Sequence, residues 1–350
     1  MSIEEKIQAL IVLYFKSKTC KFSLEKLKLD QIPFDISILN DLKVLDVQIN
    51  LLNNLPDLSS IKNLTEFNIS FNLFKEIPIQ IQFLKSLKIL ICHHNQLSNI
   101  DYNIFIDLKK LEILNVNFNK LCSIPESISN CENLRKLHCS HNSLKSLPES
   151  LSQCKNLQEI HAGYNKITDI PESFGELIKL KILILHKNQL ADLPENMADM
   201  VSLRVLDVAA NNIQVMPSEV NEMSLSEFHY ESNPLLNLEP VCSRQIDEVM
   251  PLSELALRVL AIELQNKGSY LHVKLRHFPL VQEMLLQSGE CVLCGGAYRD
   301  IWIECVRFEK RNPKIRSTKN SSKNLPIRAA ICSQTCFSSK EHQFYGVANL

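Results

Sequence analysis

Along most of the chain the apolar residues follow neither the alternation of an isolated strand nor the 3.6-residue period of a helix. They fall instead into a compound pattern about two dozen residues long. The template L-x-x-L-x-L-x-x-N-x-L-x-x-L-P fits Leu42, Leu45, Val47, Asn50, Leu52, Leu55 and Pro56. It fits again at Leu64, Phe67, Ile69, Asn72, Phe74, Ile77 and Pro78. Further registers begin at Leu87, Leu111, Leu134, Leu157, Leu180, Leu203 and Leu225, spaced 22 to 24 residues apart. The polar column between them reads Asn50, Asn72, Asn95, Asn119, Asn142, Asn165, Asn188, Asn211 and Asn233 without a gap. Upstream, Phe22, Leu24, Leu29, Ile32 and Pro33 form a degenerate opening repeat with Leu27 in the Asn place.

Each feature of the template has a physical reading. Apolar residues at template positions four and six point inward from a short strand. The Asn side chain satisfies buried backbone groups where the chain leaves that strand. Leu-Pro then imposes an extended exit. No repeat buries its apolar face alone, so neighbours stack into one continuous core. Ten parallel strands at about 4.8 Å spacing predict a curved stack roughly 45 Å long. The fold expected is α/β: a leucine-rich-repeat solenoid, a horseshoe with parallel strands on its concave face. A small C-terminal cap, helical and then zinc-knuckle-like, completes it. The divisions expected are 1–41 (N-terminal cap and degenerate repeat), 42–240 (nine repeats), 241–288 (helical segment) and 289–350 (Cys-rich domain).

Composition narrows the chemistry. The 350 residues carry 38 Lys and Arg against 39 Asp and Glu, a balance that argues against a general nucleic-acid binder. Only 7 glycines are present, and neither G-x-G-x-x-G nor G-x-x-x-x-G-K-[ST] occurs. H-E-x-x-H and G-x-S-x-G are also absent, so no enzyme is expected. No apolar run reaches the roughly 20 residues of a membrane span. The start of the chain makes a poor signal peptide, with Glu4 and Glu5 ahead of Ala9 to Phe15. Twelve cysteines then suggest reduced thiols or metal ligands in a cytoplasmic protein.

Template positions three, five, seven and eight face the concave side. They gather Phe71, His93, His94, Phe118, His138, His141, His161, Tyr164, His186 and His229, including seven of the ten histidines. Rings combine apolar area with a hydrogen-bonding edge at small entropic cost, which suits a surface that binds a protein partner. His138, His141 and His161 lie on neighbouring strands, but this reading finds no carboxylate or Cys to complete a metal set, so partner binding is favoured. Cys92 and Cys139 occupy inward positions and read as packing residues.

After Pro234 the period stops. P-L-S-E-L-A-L-R-V-L from Pro251 places Leu252, Leu255, Ala256, Val259 and Leu260 on one helical stripe. That stripe fits a helix closing the solenoid core. It also resembles an elongin-binding box of the suppressor-of-cytokine-signalling type. Pro251, Leu252 and Leu260 match that box, and Ala256 stands where its Cys would be. Phe278-Pro279 and Leu285-Leu286 are loosely similar to its cullin-selecting part. This resemblance implies docking of elongin B/C and a cullin, with Leu252, Ala256, Leu260 and Pro279 as the contact residues.

Further on, Cys291-Val-Leu-Cys294-Gly-Gly has the form of a knuckle. An alternating strand follows from Ile301 to Phe308, then a basic loop and a second strand from Leu325. Cys332 and Cys336 close the segment. Cys291, Cys294, Cys332 and Cys336 would supply four thiolates to a structural zinc ion, with Cys305 as a spare. A small hairpin domain with a thin core needs such a staple.

Taken together, the E-S-N-P-L end of the repeats, P-L-S-E-L-A, C-V-L-C-G-G, W-I-E-C-V-R-F, I-C-S-Q-T-C-F and F-Y-G-V-A-N resemble the leucine-rich repeat-containing protein 69 family, and the C-terminal plan is also similar to that of leucine-rich repeat-containing proteins 58 and 28. The resemblance implies a non-enzymatic intracellular adaptor, in its most concrete form the substrate receptor of an elongin–cullin ubiquitin ligase. A signal-transduction scaffold binding a small GTPase or a phosphatase is the alternative.

Overall fold

The repeat pattern becomes a ten-stranded parallel sheet. The computed structural model describes residues 3–17, 19–32, 38–39, 41–236, 252–265, 271–275, 278–286, 288–298, 303–317, 324–331, 336 and 344–346. Strand β1 (Lys21–Ser23) is followed by β2 (Val44–Asp46), β3 (Glu66–Asn68), β4 (Ile89–Ile91), β5 (Ile113–Asn115) and β6 (Lys136–His138). Then come β7 (Glu159–His161), β8 (Ile182–Ile184), β9 (Val205–Asp207) and β10 (Glu227–His229). Each strand pairs only with its sequence neighbours, so spatial order equals chain order. The degenerate opening repeat contributes β1, although its Pro33 lies outside the described residues.

Register is fixed by the middle residue of each strand. Leu45, Phe67, Leu90, Leu114, Leu137, Ile160, Leu183, Leu206 and Phe228 face one another in unbroken succession and are essentially inaccessible. A slip by one residue would turn this apolar file outward. Cys92 and Cys139 are fully buried in the same core. Most repeats return through a 3-10 turn that the template proline immediately precedes, as at Pro125, Pro148 and Pro171, where the ring fixes φ and the extended backbone leads into the turn.

The asparagines bind the stack together. Asn165 Oδ1 accepts from Leu144 N in the repeat before it, while its Nδ2 donates to Cys139 O and Ala162 O. The same cross-repeat pattern recurs from Asn50, which accepts from Leu29 N, to Asn233, which accepts from Ile213 N. To aim each Asn inward, the residue before it adopts a left-handed backbone. Nine such residues from Ile49 to Ser232 have φ between 51° and 60°.

The chain forms two compact units. The first comprises Met1–Ile213, Asn221–Pro234 and Asn312–Ser321; the second comprises Gln214–Val220, Leu235–Arg311 and Ser322–Leu350. In the first unit both sheet edges are covered. Helix α1 (Ile3–Ser17) packs Tyr14 edge-on against Phe22 of β1. At the far edge, Arg316 pairs with β10: Phe228 N donates to Arg316 O, and Arg316 N to Ser226 O. Covered edges cannot template further pairing.

The second unit holds helices α2 (Leu252–Gln265), α3 (Leu271–Lys274) and α4 (Pro279–Leu286), and the ribbon of β11 (Gly289–Glu290) and β12 (Ala297–Tyr298). Strand β13 (Ile303–Lys310) pairs antiparallel with β14 (Asn324–Ile331) on one side and β15 (Phe344–Gly346) on the other. The apolar stripe expected to bury α2 is turned outward. Leu255 and Val259 are 45% and 62% exposed, and Ala256 is exposed, whereas Leu257 and Glu254 are buried. The reason is a partly buried ion pair one turn long, Arg258 Nε to Glu254 Oε1 at 2.7 Å, which claims the inner side of the helix.

Candidate functional site

Strand residues flanking the buried file emerge on the open face of the sheet, and their side chains line up at the strand spacing. One file consists of the left-handed residues that precede the asparagines. Phe71, His94, Phe118, His141 and Tyr164 stack face to face with ring centroids 4.2, 4.3, 4.1 and 4.1 Å apart. Lys187 ends the stack, its Nζ 4.4 Å from the Tyr164 ring centre and 2.9 Å from its hydroxyl. The rings remain accessible, Phe71 and Phe118 each at 43%. None of the nine left-handed positions is glycine, although each non-glycine residue there costs about 1 kcal/mol or more.

A second file runs through the fifth template position. His138 and His161 face each other across β6 and β7, with centroids 4.6 Å apart and planes at 16°. Burial holds His138 at about 4, with the neighbouring His161 adding to the effect. Burial also lowers His161, opposed by the Glu159 carboxylate. His93 is held down by burial and then by His94, whose Nδ1 lies 3.0 Å from its own. His141 is lowered by burial and by His186, His94 and Lys187. These imidazoles are therefore neutral near pH 7 and offer hydrogen bonds rather than charge.

The remaining predicted positions fall on the same face. His186 lies over Gly163, where a Cβ would meet its Cε1 at 2.9 Å, and its Nδ1 sits 2.9 Å from Asp207 Oδ2. His229 approaches Glu227 at 3.7 Å. One grouping differs from the sequence expectation. His141 belongs to the ring stack, and the group that joins His138 and His161 is Glu159, whose donor atom lies with theirs inside 4.8 Å. Reading template columns separately missed it, because Glu159 stands in the third column and the histidines in the fifth.

In the second unit the knuckle sequence makes a tight turn. Cys291 N donates to Gly296 O, Gly295 N donates to Cys291 O, and Gly295 takes φ +67°. Gly296 N lies 3.4 Å from Cys294 Sγ, the N–H···S contact of a turn that wraps a sulfur. The sulfurs of Cys291, Cys294 and Cys336 lie within 4.8 Å of one another. Cys332 lies outside the described residues. Cys305 is fully buried with Cys291, Ala329 and Ile331, an apolar cluster against which Tyr298 and Cys336 pack. Of the helix positions singled out, Ala256 and Pro279 are exposed and Leu260 is half-buried, while the Leu252 side chain is outside the described residues.

Ten in-register strands tied by an asparagine ladder define the repeat region as a leucine-rich-repeat solenoid, a class consistent with protein interaction. Family profiles described as "Leucine rich repeat" match residues 85–144 and 155–213, and one described as "Leucine Rich repeats (2 copies)" matches 132–175. Among curated proteins, the chain is similar to leucine-rich repeat-containing protein 69 of Xenopus laevis, 33% identical over 131 residues, 37% of this chain and 38% of that protein. The protein of the same name from Homo sapiens is 33% identical over 126 residues, 36% of either chain. These matches span little more than a third of the relatives' length. The functional domain of InlJ from Listeria monocytogenes has the same kind of fold, with TM-score 0.53 at 22% identity over 64% of this chain and 46% of that one.

Proposed function

We propose that the protein is a non-enzymatic adaptor that captures an extended protein segment along the concave ring ladder. The observation that carries this reading is the uninterrupted stack from Phe71 to Tyr164 ending on Lys187, built on backbone positions where glycine would be less strained. Interior rings cover each other's faces, so their edges meet the partner. Ring edges are electropositive, and the imidazole N–H groups and the Lys187 ammonium share that bias. The partner chemistry that fits is a segment presenting carbonyl and carboxylate oxygens. The test is affinity purification from cells with the wild type and with Phe118→Ala/His141→Ala/Tyr164→Ala, both checked for folding by circular dichroism. A partner lost with the triple variant supports the reading; an unchanged set of partners overturns it.

The outward apolar face of α2, formed by Leu255, Ala256, Val259 and Ile262, supports a second role for the same chain, docking elongin B/C and a cullin in the cytoplasm. On this reading the ladder is the substrate receptor of a ubiquitin ligase. Co-purification of elongin that Leu252→Asp abolishes would support it. A GTPase or phosphatase recovered without elongin would turn the reading towards a signalling scaffold.

The approach of Cys291, Cys294 and Cys336, with Cys332 in the same short segment, supports a structural zinc ion held by four thiolates. Zinc there would fix the thin second unit without leaving an open position for chemistry. Less than about one tenth of an equivalent of zinc in the protein purified without chelator would overturn this assignment.

A further inference from the structure

We propose that His138, Glu159 and His161 form a second metal site, of the zinc class, on the open face of β6 and β7. Their ligand atoms already lie within 4.8 Å of one another, and the two imidazoles occupy directly paired positions on adjacent strands. Glu159 stands two residues before His161, so the strand's alternation places both on one face. The Glu159 carboxylate is divided between two tasks. Its Oε1 meets Lys136 Nζ at 2.9 Å, while Oε2 faces His161 Nε2 at 3.8 Å, too far for a hydrogen bond. His161 Nε2 is buried yet has no hydrogen-bond partner. A nitrogen shielded from water and left unsatisfied beside a free carboxylate oxygen is explained by a cation between them.

The donor set selects the ion. Two imidazoles and one carboxylate suit zinc and its borderline neighbours better than magnesium or calcium, which want oxygen alone. Three protein ligands leave a fourth position open to water or to a donor from a bound partner. The thiolate cluster is different in kind, being composed of sulfur and belonging to the other unit.

The experiment uses the full chain, stripped with chelator and dialysed against zinc sulfate. Bound zinc is then counted for the wild type, His161→Ala, Glu159→Gln and the control His94→Ala, whose imidazole lies in the ring stack. All four retain every cysteine, so thiolate-bound zinc is common to them. The wild type and His94→Ala are expected to hold about one more equivalent than His161→Ala and Glu159→Gln, and to gain melting temperature on zinc addition that those two do not gain. Equal stoichiometry across the four variants would overturn the proposal. Should His161→Ala fail to fold, the near-isosteric Glu159→Gln decides the matter by the same count. Repeating partner capture with and without chelator separates this site from the ladder, since capture that survives chelation leaves the adaptor reading intact whatever the zinc count shows.

Discussion

Phe118 and Leu114 stand four residues apart in one repeat and do opposite work. Leu114 is wholly buried in the file that sets strand register, while Phe118 lies 43% exposed between the rings of His94 and His141. The first is a residue of the fold; the second is a residue of the surface.

Replacing each by Ala separates the two roles. Leu114→Ala removes packed methyl groups from a core with no room to collapse, and about 2–5 kcal/mol of stability is expected to go with them. Phe118→Ala forfeits two ring contacts at a half-open position, costing about 1–2 kcal/mol. Urea unfolding measures both. Partner capture by folded Phe118→Ala is nevertheless expected to fall at least about tenfold, as for an anchor at the centre of an interface. Folded Leu114→Ala, by contrast, keeps its capture.

The asparagine ladder makes its own demand on stability. Asn165→Ala leaves the buried Leu144 N without its acceptor, while Cys139 O and Ala162 O each lose one of two asparagine donors and keep Asn142 Nδ2 and Asn188 Nδ2. An abandoned buried donor costs about 1–3 kcal/mol, and a loss of that size is expected. Chemical denaturation of Asn165→Ala beside the exposed-surface control Lys166→Ala checks the figure.

How much of this was legible beforehand depends on whether a contact repeats. Asn50 to Asn233 recur at one template position, so periodicity alone revealed the sheet, its register and the files of exposed rings. The left-handed backbone beneath Phe71 or His141 left no mark in composition, because glycine, its usual sign, is absent there. Glu159 was missed as a partner of His138 and His161 because that set crosses template columns. In α2, the stripe of Leu255, Ala256 and Val259 reads as the inner face, yet Glu254 and Arg258 neutralise each other four residues apart and go inside instead. Local pairing of charges can invert an amphipathic reading that counts only apolar residues. Strand β15 was too short and too far from its partner β13 for any local pattern to announce it.

His93 gives the protein a pH dependence with a definite sign. Burial and the His94 ring hold its pKa below the ordinary imidazole value of 6.5. The unfolded chain therefore takes up this proton first, and folding stability declines as pH falls below about 6.5 until the folded ring also protonates. Protonating both rings would also leave two N–H groups opposed across the 3.0 Å contact. His138, His141 and His161 are shifted in the same direction. His93→Gln is expected to flatten part of the slope between about pH 7 and about pH 5, measured by urea unfolding of chelator-treated protein. An unchanged slope would assign the whole effect to the other rings.

Thiol chemistry should divide the cysteines by depth. Burial pushes the Cys139 and Cys154 thiols up to about 12, and Cys92 and Cys131 higher still, whereas Cys122 is exposed. Only thiolate reacts with alkylating agents. Brief iodoacetamide treatment of native protein, read by peptide mass spectrometry, is expected to label Cys122 and spare those four. Comparable labelling of Cys139 would mean that the repeat core opens on the timescale of the reaction.

Two glycines of one repeat test what the open face and the return segment can each absorb. A Cβ at Gly175 would meet the backbone oxygen of Asn196 at 2.6 Å, in the return segment where two 3-10 turns pack together. Backbone cannot swing aside, so Gly175→Ala is expected to cost about 1–3 kcal/mol through overpacking. At Gly163 the obstacle is the His186 ring, at 2.9 Å from the added carbon. A side chain can rotate away, but doing so breaks its 2.9 Å contact with Asp207 and disturbs the edge-on approach to Tyr164 at 5.2 Å. Gly163→Ala is therefore expected to leave stability within about 1 kcal/mol of wild type, since the broken contact is partly exposed. It should still weaken partner capture, because it reshapes the end of the ladder where Lys187 sits. Thermal melts of the two variants together with a capture assay separate these outcomes. Loss of stability without loss of capture at Gly163 would place His186 in the fold rather than on the binding surface.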